Sequence, residues 1–223
     1  MVNMQTMKTQ NNSPDSRIKQ LIQHQNNLRQ CRQCPDMIPP VITGTAVLSP
    51  VILIGQAPGI HEAEVQKPFG WTAGKTLFSW FETVGVSEET FREQVFIASV
   101  CRCFPGKQIN KQGKIGGDRV PSKTEISQCA PWLHREVELL KPQLIIAVGK
   151  LAISHYVNVK KLTDVIGTVH QIEIAGHPTQ MIPLPHPSGA STWHRMEPGK
   201  TLLQDALQLL NKHPAWQQIQ AAG

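Results

Sequence analysis

The sequence predicts an α/β fold built on a parallel sheet with helices over both faces. Three observations carry this. Four short, continuous apolar runs lie at 51–54 (Val-Ile-Leu-Ile), 95–100 (Val-Phe-Ile-Ala-Ser-Val), 144–148 (Leu-Ile-Ile-Ala-Val) and 181–184 (Met-Ile-Pro-Leu). Unbroken apolar strands are those buried on both faces, which is the condition of a parallel sheet. Helical patterns separate the runs, and strand–helix alternation is the signature of βαβ units. The length of 223 residues with 40% hydrophobic content suits one domain with a substantial core.

The elements follow in order. Residues 1–13 are polar and read as a disordered lead-in, leaving 14–223 as a single domain. Asp15-Ser16 is positioned to cap a helix reaching about Arg29, with Ile18, Leu21, Ile22 and Leu28 as its apolar stripe. A loop with Cys31 and Cys34 follows. Gly55 ends the first strand, and a helix is expected over about 73–84. Residues 105–120 hold Lys107, Lys111, Lys114 and Arg119 with four glycines, which reads as a mobile basic loop. Ser122 and Glu125 have the spacing of a capping box, predicting a helix over about 122–140. Gly149 ends the third strand and opens another helix. Pro183 marks the last run as an edge or a strand end, and a final helix is expected over about 198–212.

Composition narrows the function. The formal net charge is +6 and the pI about 9.2, which favours a polyanionic partner, most simply a nucleic acid. No stretch approaches the roughly 18 apolar residues of a membrane span, and the polar N-terminus lacks a secretory h-region. A cytoplasmic monomer without membrane contact is expected. Five cysteines in that compartment read as thiols, with metal ligation the alternative to burial.

In a parallel α/β sheet the ligand site lies outside the carboxyl ends of the strands, so the loops after the first, second and last runs matter most. Residues 55–59, Gly-Gln-Ala-Pro-Gly, allow close backbone approach to a ligand. Cys101 and Cys103 follow the second run. With Cys31, Cys34 and Cys129 they supply enough thiolates for tetrahedral zinc or an iron–sulfur cluster, and spacing does not separate the two. Gly74-Lys75-Thr76 resembles the end of a phosphate-binding loop, but Phe69 stands where that motif needs its first glycine. Nucleoside triphosphate binding is rejected, and Gly74-Lys75 is read as a helix start able to meet a phosphate. His186, between Pro185 and Pro187, has a rigid setting at a strand's carboxyl end, suited to donating a hydrogen bond to developing negative charge.

Together these motifs resemble the uracil-DNA glycosylase superfamily, closest to its iron–sulfur branches, families 4 and 5. The shared order is C-x2-C, G-x-A-P-G, P-F-G-x-x-A-G, a cysteine after the second strand, a cysteine in the next helix, and H-P-S after the last strand. It spans about residues 31–210. The resemblance implies a three-layer α/β/α sandwich around a four-stranded parallel sheet. It implies hydrolysis of the N-glycosidic bond of uracil, or another deaminated base, in DNA. It also implies a [4Fe-4S] cluster, favoured over zinc, on Cys31, Cys34, Cys103 and Cys129, with Cys103 chosen over Cys101. His186 matches the histidine that hydrogen-bonds the departing base. Phe69 matches the aromatic that stacks on it. Gln56, Ala57 and Gly59 match the pocket wall, and Ser188 a phosphate contact. Residues 189–195 correspond to the loop that probes the duplex, with Trp193 as a wedge or a packing residue.

Two departures stand out. Gln56 replaces the glutamate of family 4, and Ala57 stands where family 1 has its aspartate, so neither usual carboxylate is present. A glutamine orients water but is no general base, which leaves His61 and Glu62 as the nearest substitutes. Ser99 replaces the asparagine that reads uracil, so base selection is expected to loosen. Two other functions compete: a DNA-binding protein of the same fold with little or no hydrolysis, and a zinc-stapled protein binding RNA or another polyanion.

Overall fold

The computed structural model describes residues 13–223. The expectation for the N-terminal lead-in therefore lies outside the described residues, except for Ser13. That residue caps α1 (Pro14–Arg29): its hydroxyl accepts the Ser16 amide at 3.2 Å, and Pro14 takes the first turn, where no amide is needed. The cap is thus Ser13 and not Asp15 or Ser16.

Strand β1 (Val51–Gly55) leads through a short α2 (Glu62–Val65), α3 (Thr72–Glu82) and α4 (Glu88–Gln94) to β2 (Phe96–Ser99). A hairpin, β3 (Lys107–Ile109) and β4 (Ile115–Asp118), precedes α5 (Lys123–Leu140). Then come β5 (Leu144–Val148), α6 (Lys150–Ser154), β6 (His170–Ile174), β7 (His177–Leu184), α7 (Gly199–Lys212) and α8 (Pro214–Gln220). The capping box at α5 forms as expected, with Ser122 and Glu125 each satisfying the other's backbone amide.

Among the described residues the main sheet has five strands in the order β2-β1-β5-β7-β6. The four expected strands are present and mutually parallel. The fifth, β6, is a correction: it pairs antiparallel with β7 across a two-residue turn in which Ala175 and Gly176 have φ of 51° and 75°. Positive φ at both positions is what a tight hairpin of this hand requires. β6 alternates half-buried and exposed residues, so it carries no continuous apolar run. It also explains Pro183. β6 reaches only to the level of Met181, so Pro183 lies where that flank of β7 has no ladder.

Strands β1 and β5 are buried at every position, so helices cover both faces and the architecture is three-layered. On one side α3, α4 and α8 share Phe78, Phe81, Phe91 and Trp216. The rings of Phe81 and Phe91 stack at 4.6 Å, and the indole of Trp216 donates to the Val84 carbonyl at 3.1 Å. Elsewhere α1 packs along α5, tied by Arg17 donating to the carbonyls of Leu139 and Leu140. The strand order places a topological switch between β1, whose chain goes outward to β2, and β5 on its other flank. In open α/β sheets the crevice for a ligand opens at that point. Gly55 ends β1 there, and Gly149 directly follows β5.

Candidate active site

Neighbouring strands lie about 4.8 Å apart, so the ends of β2, β1, β5 and β7 set Ser99, Gly55, Gly149 and the His186 loop along one edge. Each glycine admits a close neighbour. A Cβ on Gly55 would stand 2.7 Å from Cζ of Phe69 and 3.5 Å from Oγ of Ser99. The Phe69 ring therefore lies against the end of β1, beside Ser99. A Cβ on Gly149, whose φ is 86°, would stand 3.1 Å from Cδ2 of His186. These contacts bring together Gln56, Ala57, Gly59, Phe69, Ser99 and His186 from four separate stretches of chain.

Phe69 is held in a left-handed conformation, φ 52°, which a bulky residue adopts only when its surroundings impose it. Arg92 of α4 donates to the carbonyls of Pro68 (3.1 Å) and Phe69 (3.0 Å) while its guanidinium lies 4.5 Å from the centre of the Phe78 ring. Gly74 is buried so close beneath that a Cβ would fall 1.7 Å from the Phe69 carbonyl oxygen. Gly74-Lys75 lies in the first turn of α3, the helix start that was expected, and Gly74 is packed on Phe69. Glu62 braces the same region. It is 8% exposed and accepts the amide of Gly59. Burial raises its pKa, opposed by hydrogen bonds from the amides of Gly59, Phe69 and Gly70. A carboxylate engaged with three amides ties the 55–59 loop to the Phe69 loop, and it is no free base. His61 stacks on the exposed Trp71 at 4.7 Å and lies 3.6 Å from Glu64. Neither residue is the substitute carboxylate or base that the sequence suggested.

His186 is partly buried, and burial lowers its pKa, so the imidazole is neutral near pH 7. Its Nδ1 accepts the amide of Ser188 at 3.2 Å. The ring proton therefore resides on Nε2, which has no hydrogen-bond partner among the described residues. The Ser188 carbonyl accepts the Ser191 amide at 2.9 Å. Trp193 packs its indole against Gly199. The exposed apolar side chain of that segment is Met196, 62% exposed.

The basic segment is not an unstructured loop but the β3–β4 hairpin, with Lys107 and Asp118 paired at 2.6 Å. Asp118 faces the site. A Cβ on Gly59 would lie 3.5 Å from its Oδ2, and its charge acts on His186. Asp118 carries no local signal in the sequence, because the strands on both sides of Gly113 are exposed throughout.

All five cysteines line a cavity of about 220 Å³ beside α1 and the 101–103 loop. Residues 38–42 stitch the walls together, with reciprocal Ile38–Phe104 hydrogen bonds and Ile42 donating to Arg102. Cys101 is buried and donates to Cys129. That bond holds the Cys129 thiol down to about 7 and pushes the Cys101 thiol up. Cys103 is pushed up to about 11 by burial and by the nearby Cys129, Cys31 and Cys34. Burial and mutual proximity disfavour the thiolate form of Cys34, Cys101 and Cys103, and a bound metal would supply the positive charge that lets such sulfurs ionise, so the donor set fits a sulfur-ligated centre. Among the described residues no three His, Cys, Asp or Glu side chains gather round one point as for a single ion; the sulfurs surround a cavity instead.

The family model described as the uracil DNA glycosylase superfamily matches residues 43–211. A type-4 uracil-DNA glycosylase of Pyrobaculum aerophilum is 32% identical over 143 residues, 62% of this chain and 66% of the relative. A type-4 uracil-DNA glycosylase of Thermotoga maritima is 27% identical over 164 residues, 72% of this chain and 78% of the relative. A type-5 uracil-DNA glycosylase of Pyrobaculum aerophilum is 26% identical over 113 residues, 46% and 45% of the two chains. The match therefore spans just under two thirds of the first relative's length.

Proposed function

Because the chain belongs to the uracil DNA glycosylase superfamily, we propose that it is a DNA repair glycosylase. It hydrolyses the bond between deoxyribose and uracil, or another deaminated base, and leaves an abasic site. The observation that carries this reading is the Ser188–His186 hydrogen bond, which leaves a neutral imidazole with its proton on Nε2 at the carboxyl edge of the sheet.

The target base leaves the stack and enters the crevice at the β1–β5 switch. Phe69 stacks on it, Ala57 and Gly59 form the wall, and Ser99 offers one hydroxyl to its edge. Ser188 contacts a DNA phosphate. As the glycosidic bond breaks, negative charge moves onto the base, and Nε2 of His186 donates to it. A preformed donor in a partly desolvated site is worth most where charge develops. Gln56 orients the water. With a single short hydroxyl at Ser99, discrimination among deaminated bases is looser than an amide side chain gives.

Cys31, Cys34, Cys103 and Cys129 are the proposed ligands of a [4Fe-4S] cluster, supported by the resemblance to the superfamily's iron–sulfur branches and by the sulfurs lining one cavity. When bound, the cluster serves as a structural clasp. The protein acts as a monomer in the cytoplasm, where free thiols persist. Among the described residues no helix is long and apolar enough to cross a membrane.

The test is a strand-cleavage assay with anaerobically purified protein. Single- and double-stranded oligonucleotides carrying uracil, hypoxanthine or xanthine are treated with protein, then with alkali. Cleavage that disappears in His186→Ala supports the reading. Intact protein that binds DNA but releases no base replaces it with a DNA-binding protein of this fold.

A further inference from the structure

The two positions where this fold carries its water-directing acid are Gln56 and Ala57, and neither is a carboxylate. The nearest acids in the chain are otherwise engaged: Glu62 is occupied by backbone amides, and Glu64 lies out by His61. One acid reaches the site from a different element. Asp118 ends β4, and its two oxygens face different ways. Oδ1 takes Lys107 Nζ at 2.6 Å across the hairpin, while Oδ2 points to the 55–59 loop, 3.5 Å from where a Cβ of Gly59 would be. The same virtual atom lies 3.6 Å from Oε2 of Glu62. A Cβ at residue 59 would meet both acids at ordinary van der Waals distance, so the two carboxylates flank the same turn of the 55–59 loop.

We propose that Asp118, delivered by the β3–β4 hairpin, replaces the missing loop carboxylate as the group that deprotonates the attacking water, which Gln56 orients. This rests on the glycosylase reading above. The water oxygen bonds to the sugar C1′ as the C1′–N bond breaks, and the bonding pair leaves on the base, which His186 Nε2 stabilises. The water's proton goes to Asp118 Oδ2. The base anion is then protonated from solvent, and Asp118 gives its proton back to solvent. Charged and titratable neighbours of Asp118 are Lys107 on β3, Glu62 on α2 and His186 after β7. Lys107 keeps Oδ1 oriented, and Asp118 in turn stabilises positive charge on His186.

The experiment measures single-turnover release of uracil with enzyme in excess, for the wild type, Asp118→Asn, Asp118→Glu and Asp118→Gly. General-base removal costs at least about a hundredfold, so Asp118→Asn is expected to fall that far with DNA affinity and melting temperature near the wild-type values. Asp118→Glu should recover at least about a tenth of the wild-type rate, because it restores a base at the cost of misplacing it. Added formate should raise the rate of Asp118→Gly and leave Asp118→Asn unchanged, since only the first vacates room for an external carboxylate. A merely structural role through the Lys107 pair would lower melting temperature or DNA affinity in every variant and show no formate rescue. Asp118→Asn within threefold of wild type, or no rescue by either route, overturns the proposal while leaving the glycosylase reading intact. A wild type that releases no base, with DNA still bound, overturns both.

Discussion

The Ser188 amide donates to Nδ1 of His186 at 3.2 Å, across a single intervening proline. That bond selects the tautomer, and burial keeps the ring neutral. The pair is made by the chain's own local geometry: Pro185 and Pro187 limit the backbone on both sides of His186, and Gly149 leaves space for the ring to lie against β5. His186 is thus poised to donate without first acquiring a proton.

Burial of histidines has a consequence for stability. His24, His155, His186, His194 and His213 all have pKa values lowered chiefly by burial. The unfolded chain therefore binds more protons than the folded one below the usual histidine value. Stability is complete above about pH 6.5 and declines as pH falls through the window toward the folded values. Glu62, raised by burial, opposes this as one group against five. Melting temperature should fall by roughly 5 °C or more between pH 7 and pH 5. A melting curve that rises on acidification would contradict this account.

The placement of Phe69 makes a sharper prediction. Gly55→Ala introduces a methyl group 2.7 Å from the Phe69 ring, and the ring must leave its position over the strand end. Base capture should weaken by about tenfold or more, read as the enzyme concentration giving half-maximal single-turnover rate. Arg92→Met, which frees the Pro68 and Phe69 carbonyls, should shift the same quantity in the same direction. Half-saturation unchanged in both variants would mean that the ring does not stack on the base.

The contrast between Phe69 and Arg92 shows what a sequence discloses. Phe69 is marked only by the resemblance to the family, whereas Gly55 and His186 are legible because loop chemistry at strand ends is local: glycines, prolines and an isolated histidine stand out against apolar runs. The four parallel strands are legible for the same reason. Arg92 is an ordinary helix residue until the fold carries α4 beneath the Phe69 loop, and nothing in its neighbours marks it. Glu62 looks like a solvated first-turn acid, and only tertiary packing buries it under three amides. β6 escapes because an edge strand with one open face has no continuous apolar run. The hairpin at 107–118 escapes because its strands are exposed throughout and glycine-rich, a composition shared with irregular loops.

The cysteine cavity separates two ligand assignments that spacing leaves open. If Cys103 is a ligand and Cys101 a buried neighbour bonded to Cys129, then Cys103→Ser should lose iron and the brown absorbance near roughly 400 nm. Cys101→Ser should retain both, with about four iron atoms per chain as in the wild type. Iron and acid-labile sulfide analysis on anaerobically purified protein reads the result. Retention by Cys103→Ser with loss by Cys101→Ser would exchange the two roles. Zinc in colourless wild-type protein would replace the cluster.

The hairpin also divides its own charges. Lys107 is paired with Asp118, so its charge is largely spent inside the protein, whereas Lys111 and Lys114 project at and beside the exposed turn. Each lysine that neutralises a phosphate releases condensed counterions, and the dependence of log affinity on log salt steepens by about 0.7 to 0.9 per contact. Changing Lys111 and Lys114 together to Gln should therefore flatten the salt slope by about 1.5. Affinity should weaken equally for uracil-containing and undamaged DNA, because a phosphate contact carries no base information. Lys107→Gln alone should change the slope much less. Fluorescence anisotropy across a salt series measures all three proteins. A slope unaltered in the double variant would remove the hairpin from the DNA interface and leave it only the task of carrying Asp118 to the 55–59 loop.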